Sequence, residues 1–116
     1  MASNDLLKGT LKPIILKLLS DNGRMYGYEI TQSVKTITQG KLELTFGALY
    51  PVLHKLEQEG AVKTESEVIN NRNRIYYSLT KKGVGTAQEK IAELEDFINT
   101  IRLVLKPNLG LEYGIA

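Results

Sequence analysis

The chain has 116 residues, a formal net charge of +2 and no cysteine. That length suits one compact domain, and a chain without cysteine has neither a disulfide framework nor thiolate chemistry. The opening residues, MASNDLLKGT, lack the long apolar run of a secretory signal, and no stretch is apolar over the length that a bilayer requires. A soluble, cytoplasmic protein with no membrane partner is therefore expected.

The charge is unevenly spread. Residues 1–40 and 41–82 each carry an excess of two Lys+Arg over Asp+Glu, whereas residues 83–116 carry an acidic excess of two. The basic balance thus lies in the first two thirds of the chain, where contact with an anionic partner is most favourable.

The first element is TLKPIILKLLSDNG. Thr10 is placed as an N-cap, and Pro13 falls in the first turn, where its missing N–H costs little. Leu11, Ile14, Ile15, Leu18 and Leu19 form one apolar stripe, and Asn22-Gly23 is a stop signal. MYGYEITQSVKTI follows as a shorter helix, with Tyr28, Ile30, Val34 and Ile37 as its apolar face, room at its start beside Gly27, and Gly40 as the breaker. The third helix is TFGALYPVLHKLEQEG. Thr45 caps it, Gly60 stops it, and Phe46, Leu49, Val52, Leu53 and Leu56 recur at helical spacing.

Beyond Gly60 the period changes from helical to alternating. AVKTESEV sets Val62, Thr64, Ser66 and Val68 on one face. NRIYYSL sets Ile75, Tyr77 and Leu79 inward, and Arg74, Tyr76 and Ser78 outward. INNRN joins them, and its asparagines suit a turn, so a β-hairpin is expected. Among the tyrosines, Tyr28 and Tyr77 are read as core, and Tyr50 and Tyr76 as outward-facing. Thr80 caps a last helix of about 81–105, which Pro107 ends, and residues 107–116 are read as an irregular tail.

The order helix, helix, helix, hairpin, helix defines the fold class as α+β, mainly α. It is a winged helix-turn-helix with a two-stranded wing over residues 1–80, then a long C-terminal dimerisation helix over 81–106. In this layout the third helix enters the major groove of DNA and the wing lies along the backbone.

The final helix carries an unbroken heptad stripe of Val84, Ala87, Ile91, Leu94, Ile98, Ile101 and Leu105, widened by Phe97. Part of it packs on the chain's own domain. The helix is about 35–40 Å long, however, more than a small core covers. The rest is expected to pair with a second copy, giving a two-fold homodimer.

The third helix breaks two rules. Glycine costs a helix interior about 1 kcal/mol relative to alanine, and proline about 3, yet both Gly47 and Pro51 lie inside it. A glycine near the start of a recognition helix lets the backbone approach a phosphate, and Pro51 leaves the Gly47 carbonyl unpaired where solvent or a ligand reaches it. The competing reading is a purely structural kink with Tyr50 half-buried.

At this point the chain resembles a known family. Gly47, Leu49-Tyr50-Pro51, Leu53, Leu56-Glu57 and Gly60 resemble the recognition-helix signature of the PadR-like transcriptional regulators. Tyr26 to Ile30 resembles the family's Gly-Tyr-Glu-Ile opening of the second helix, and Arg74 to Gly83 its Tyr-Tyr-x-Leu-Thr-x-x-Gly passage into the last helix. The three motifs occur in the family's order, and the resemblance covers roughly residues 6–105.

The resemblance implies a bacterial repressor, dimerised through a C-terminal helix as in the family's short branch, that binds palindromic double-stranded DNA and in some members responds to a small aromatic or hydrophobic effector. It assigns DNA contact to Lys41, Thr45, Gly47, Ala48, Tyr50, Pro51, His54 and Lys55, and in the wing to Asn71, Arg72 and Arg74, with Asn70 and Asn73 able to add hydrogen bonds. Ala87, Ile91, Leu94 and Phe97 are the candidates to line an effector site at the dimer interface. Some short members stack flat drugs on an interfacial tryptophan, and this chain has none.

Other chemistry lacks a constellation. His54 is the only histidine, and with no cysteine it makes no metal site and no cofactor is expected. No partner marks it as part of a nucleophilic triad, so the chain is not read as an enzyme. The alternative to a DNA-binding regulator is a winged-helix module that binds protein and has no specific DNA target.

Overall fold

The structure, a computed structural model, describes residues 4–107. Its elements are α1 (Asn4–Lys8), α2 (Leu11–Asn22), β1 (Arg24–Tyr26), α3 (Gly27–Ile37), α4 (Phe46–Gln58), β2 (Val62–Ile69), β3 (Arg72–Leu79) and α5 (Lys81–Leu105). The predicted helices and hairpin are all present. Two further elements, α1 and β1, have no counterpart in the sequence pattern. Beyond Pro107, the expected tail lies outside the described residues.

The core forms where the apolar stripes of α2, α3 and α4 meet. Ile15, Leu16, Ile30, Leu49, Leu53 and Leu56 are fully buried, each contributing about 1.5–3 kcal/mol of transfer energy. Phe46 departs from the expected α4 stripe and is 48% exposed.

The helix ends follow local chemistry. The Thr45 hydroxyl accepts the Ala48 N–H at 3.2 Å and so caps α4. At the other end Gly60 adopts φ 79°, its N–H bonds the Glu57 carbonyl, and the Ala61 N–H bonds the Leu56 carbonyl. This is a Schellman closure, which favours glycine at that position. The end of α3 closes in the same pattern, but with Gln39 at φ 54° in the left-handed position, one residue before Gly40. Thr10 precedes α2 as expected without capping it. Its hydroxyl instead donates to the Leu7 carbonyl at 2.9 Å, tying α2 to α1.

The sheet is antiparallel in the order β1-β3-β2. The wing turn is tighter than INNRN suggests. Ile69 already pairs with Arg72, and Asn70 and Asn71 alone form the loop at φ 50° and 63°. Positive φ at both central residues is the type I′ turn that matches strand twist.

The third strand changes what the hairpin buries. Tyr76 does point away from the α-helical core, as its alternation predicted, but it pairs with Tyr26 of β1 and is only 8% exposed. The Tyr26 ring meets it edge-on at 5.4 Å, and the Arg24 guanidinium lies 4.0 Å over its ring. Conversely Tyr28, read as core, is 55% exposed. Ile75 shares the Tyr77 face but is 39% exposed, because the hairpin runs out beyond the core. Tyr77 is buried as expected, and burial raises its pKa above the ordinary value of 10.0.

Two close approaches join α5 to the rest. A Cβ on Gly83 would run into the Ala61 carbonyl oxygen. Around that contact the Thr80 N–H bonds the Ala61 carbonyl, and the Thr80 hydroxyl donates to the Gly60 carbonyl at 2.6 Å while accepting the Gly83 N–H at 3.0 Å. Lys82 Nζ donates to the Glu59 carbonyl at 2.7 Å. The start of α5 is thereby bonded to the end of α4. Among the described residues, no helix is long and apolar enough to cross a membrane.

Candidate nucleic-acid interface

Residues 47, 51, 54, 55 and 58 stand at i, i+4, i+7, i+8 and i+11, and so share one face of α4. Gly47, Pro51, His54, Lys55 and Gln58 are all exposed there, opposite the buried Leu49, Leu53 and Leu56. Of the residues singled out in α4, Ala48 and Tyr50 stand apart. Both are half-buried and pack on the core. The Tyr50 hydroxyl occupies the space that a Cβ on Gly27 would need, which is the physical reason for that glycine. Gln58 was missed because the family signature passes over it between Glu57 and Gly60, although extending the helical face by one turn reaches it.

Gly47 is a different case. Its φ is not in the left-handed region, and an added Cβ would meet only the Thr45 hydroxyl oxygen, at 3.9 Å. The chain's own packing does not require glycine at this position.

The flanks of α4 present cations. Lys41 is exposed ahead of the helix, and Asn71 and Arg72 are exposed at the wing tip. Arg74 lies further back along β3 and is half-buried. Its guanidinium sits 4.4 Å over the Tyr26 ring, and hydrogen bonding to Tyr76 raises its already high pKa. On the same sheet face Arg24 bonds Glu67 at 2.6 Å and Glu65 at 3.4 Å. Arg72 and Arg74, read together as a pair, therefore have different surroundings: one projects from the tip and the other is built into a Tyr–Arg mosaic.

Between α3 and the start of α4 lies a depression of about 370 Å³, lined by Tyr28, Gln32, Lys35, Glu43, Thr45 and Phe46 among others. Glu29 holds the start of α3. Its carboxylate accepts the Tyr26 N–H at 3.1 Å, satisfying a donor at the N-terminus of α3.

The heptad stripe divides along α5. Ala87 is 2% exposed and belongs to the core, whereas Phe97, Ile98, Ile101 and Leu105 are 58%, 44%, 37% and 75% exposed. Val84 is exposed as well. An apolar groove of about 360 Å³ runs between α2, α3 and α5, lined by Ile14, Leu18, Ile37, Ile91, Leu94 and Ile98 among others. The four effector candidates separate accordingly. Ile91 and Leu94 line the groove, but Ala87 lies beneath the surface and Phe97 faces a second concavity with Ile101 and Leu105.

Three helices around one core, the third presenting a polar face and followed by a β-hairpin, make this a winged helix-turn-helix protein. The description is narrowed by comparison with known proteins. The model of the transcriptional regulator PadR-like family matches residues 15–89, and the chain belongs to that family. It is 30% identical over 87 residues to a transcriptional regulator of Mycobacterium tuberculosis, spanning 75% of this chain and 78% of that one. A transcriptional regulator from Clostridium thermocellum superposes with a TM-score of 0.80 at 28% identity, covering 91% of this chain and all of the other. The Bacillus subtilis PadR, solved in complex with operator DNA, gives a TM-score of 0.61 at 29% identity over 68% of this chain and 45% of that one. These relatives are transcriptional regulators, and so is this chain by its family.

Proposed function

We propose that the protein is a cytoplasmic, sequence-specific repressor that binds a pseudo-palindromic DNA operator as a homodimer. The observation that carries this reading is Gly47. A glycine in α4 forgoes up to about 1 kcal/mol of helix propensity, and a Cβ added there would meet only the Thr45 hydroxyl oxygen. We read the bare position as room for an object outside the chain. On the first turn of the exposed helix of a winged-helix protein, that object is the edge or backbone of a duplex. The operator-bound Bacillus subtilis PadR supports the same reading.

Each residue then has a role. Gly47 admits the duplex. Pro51, His54, Lys55 and Gln58 form the rest of the facing surface. Lys41 and Arg72 neutralise phosphates on either side, with Asn71 beside Arg72. Thr45 holds the first turn of α4, Ala48 and Tyr50 pack the helix on the core, and Arg74 is held against Tyr26 on the sheet. Residues 1–80 act as the DNA-binding unit and 81–106 as the dimerisation unit. The exposed Phe97, Ile98, Ile101 and Leu105 meet their counterparts in the second copy, which sets the two α4 helices roughly 34 Å apart, one turn of DNA. An apolar effector entering the groove between α2, α3 and α5 would press on both units at once and alter that spacing.

The test is fluorescence anisotropy on the duplex upstream of the protein's own gene, titrated across salt. Tight binding that a scrambled duplex does not reproduce, with a steep salt slope, is expected. Equal, weak binding to both duplexes would replace this reading with the protein-interaction module.

A further inference from the structure

We infer that Phe46 reads a thymine, its ring resting on the 5-methyl group in the major groove. The inference rests on the DNA-binding reading above and assigns it a specificity residue. Phe46 is the first residue of α4 and is 48% exposed, whereas Leu49, Leu53 and Leu56 of the same helix are fully buried. The ring is nevertheless held in place. It lies 5.9 Å from the Tyr50 ring at an interplanar angle of 30°, and Tyr50 is itself lodged against Gly27. A large apolar side chain thus stands at an exposed position and is braced there.

Direction and chemistry then select the target. The Cα–Cβ bonds of a helix tilt toward its N-terminus, so a side chain at the first position projects past the leading end. Recognition helices touch base edges with that end. Among the groups displayed in the major groove, the thymine methyl is the apolar one, and phenylalanine is among the side chains suited to it. The bare Gly47 beside it allows the approach. Tyr28, 55% exposed, Lys35 and Glu43 share the depression with Phe46.

The experiment works without a known operator. Duplexes are selected from a random-sequence pool with the wild-type protein and with Phe46→Ala. Anisotropy then compares the selected duplex with one in which deoxyuridine, lacking only the methyl, replaces a thymine. The wild-type consensus is expected to hold an invariant thymine in each half-site. Its replacement should weaken wild-type binding by about fourfold per half-site, the worth of one buried methyl. Phe46→Ala, checked for an unchanged melting temperature, should bind both duplexes equally and lose preference at that position alone. A consensus without such a thymine, or an equal deoxyuridine penalty in both proteins, would overturn the inference. Failure of the wild-type protein to enrich any sequence would instead overturn the DNA-binding reading, and the inference with it.

Discussion

Gly83 and Gly85 stand two residues apart on α5, and alanine at the two positions should change stability in opposite directions. At Gly85 a Cβ meets nothing within 4 Å. Gly85→Ala should therefore gain helix propensity, up to about 1 kcal/mol. At Gly83 the same methyl meets the backbone carbonyl of Ala61, which has no rotamer to escape into. Forcing it in costs about 1–3 kcal/mol of strain. It also pushes α5 off a seat made by the Thr80 N–H to Ala61, Thr80 hydroxyl to Gly60 and Lys82 to Glu59 bonds, each worth about 1 kcal/mol net. Even after the propensity gain, a loss of about 2–4 kcal/mol is expected. For a domain of this size that is a fall in melting temperature of roughly 10–20 °C. Denaturant unfolding followed by circular dichroism, at one fixed protein concentration because the stability of the proposed dimer depends on it, measures both variants. A Gly83→Ala protein as stable as wild type, or two variants destabilised alike, would refute the packing argument.

Further perturbations separate the remaining roles. Arg72→Ala should weaken binding about equally on all duplexes and lower the salt slope by about one, whereas Arg74→Ala should chiefly lower the melting temperature, and identical salt slopes for the two variants would contradict the placement of Arg74. Thr45→Ala should cost about 1 kcal/mol of stability through loss of the cap, visible as a lower denaturation midpoint. Ile98→Glu with Ile101→Glu should give monomers in sedimentation, and an intact dimer would remove the C-terminal half of α5 from the interface. The hydrogen bond from Lys12 lowers the Glu59 pKa below its ordinary 4.5. Its stabilising share is therefore complete above 4.5 and is lost as pH falls through the lowered value. Lys12→Met should be less stable than wild type at neutral pH and no longer so in strong acid, and a gap that persists there would rule out the ion pair as its source.

How much of this was legible depends on the range over which each signal acts. The helices α2, α4 and α5, the Thr45 and Thr80 caps and the Gly60 stop rest on signals that act within one or two turns, and they occur where the pattern put them. The three residues of β1 are too few to show a period, and they form a strand only because β3 offers its edge. That omission concealed the burial of Tyr76. Alternation gives the parity of a strand, so it placed Tyr76 on the correct face, but it cannot tell that a third strand and Arg24 cover that face. Gly27 offers a similar lesson. Its need for space was readable, but Tyr50, 23 positions away, fills that space only after folding. At the interface, Phe46 fitted the apolar spacing so well that spacing alone consigned it to the core. Its exposure follows from its being the first residue, where the neighbouring turn that would cover it is missing.

The junction at Ala61 and Gly83 also has a mechanical consequence. With the last turn of α4 bonded to the first turn of α5 through Glu59, Gly60 and Ala61, the two helices form a bent lever with its pivot at that backbone contact. The long arm, 25 residues at 1.5 Å each, reaches about 37 Å from the pivot. A rotation of about 5° there moves the far end of α5 by about 3 Å. Read in reverse, a displacement of that size at the far ends of α5 in the proposed dimer would turn each α4 by only a few degrees. A hand-off that small suits a major groove, in which a modest tilt separates a helix seated on base edges from one that rides on the phosphates.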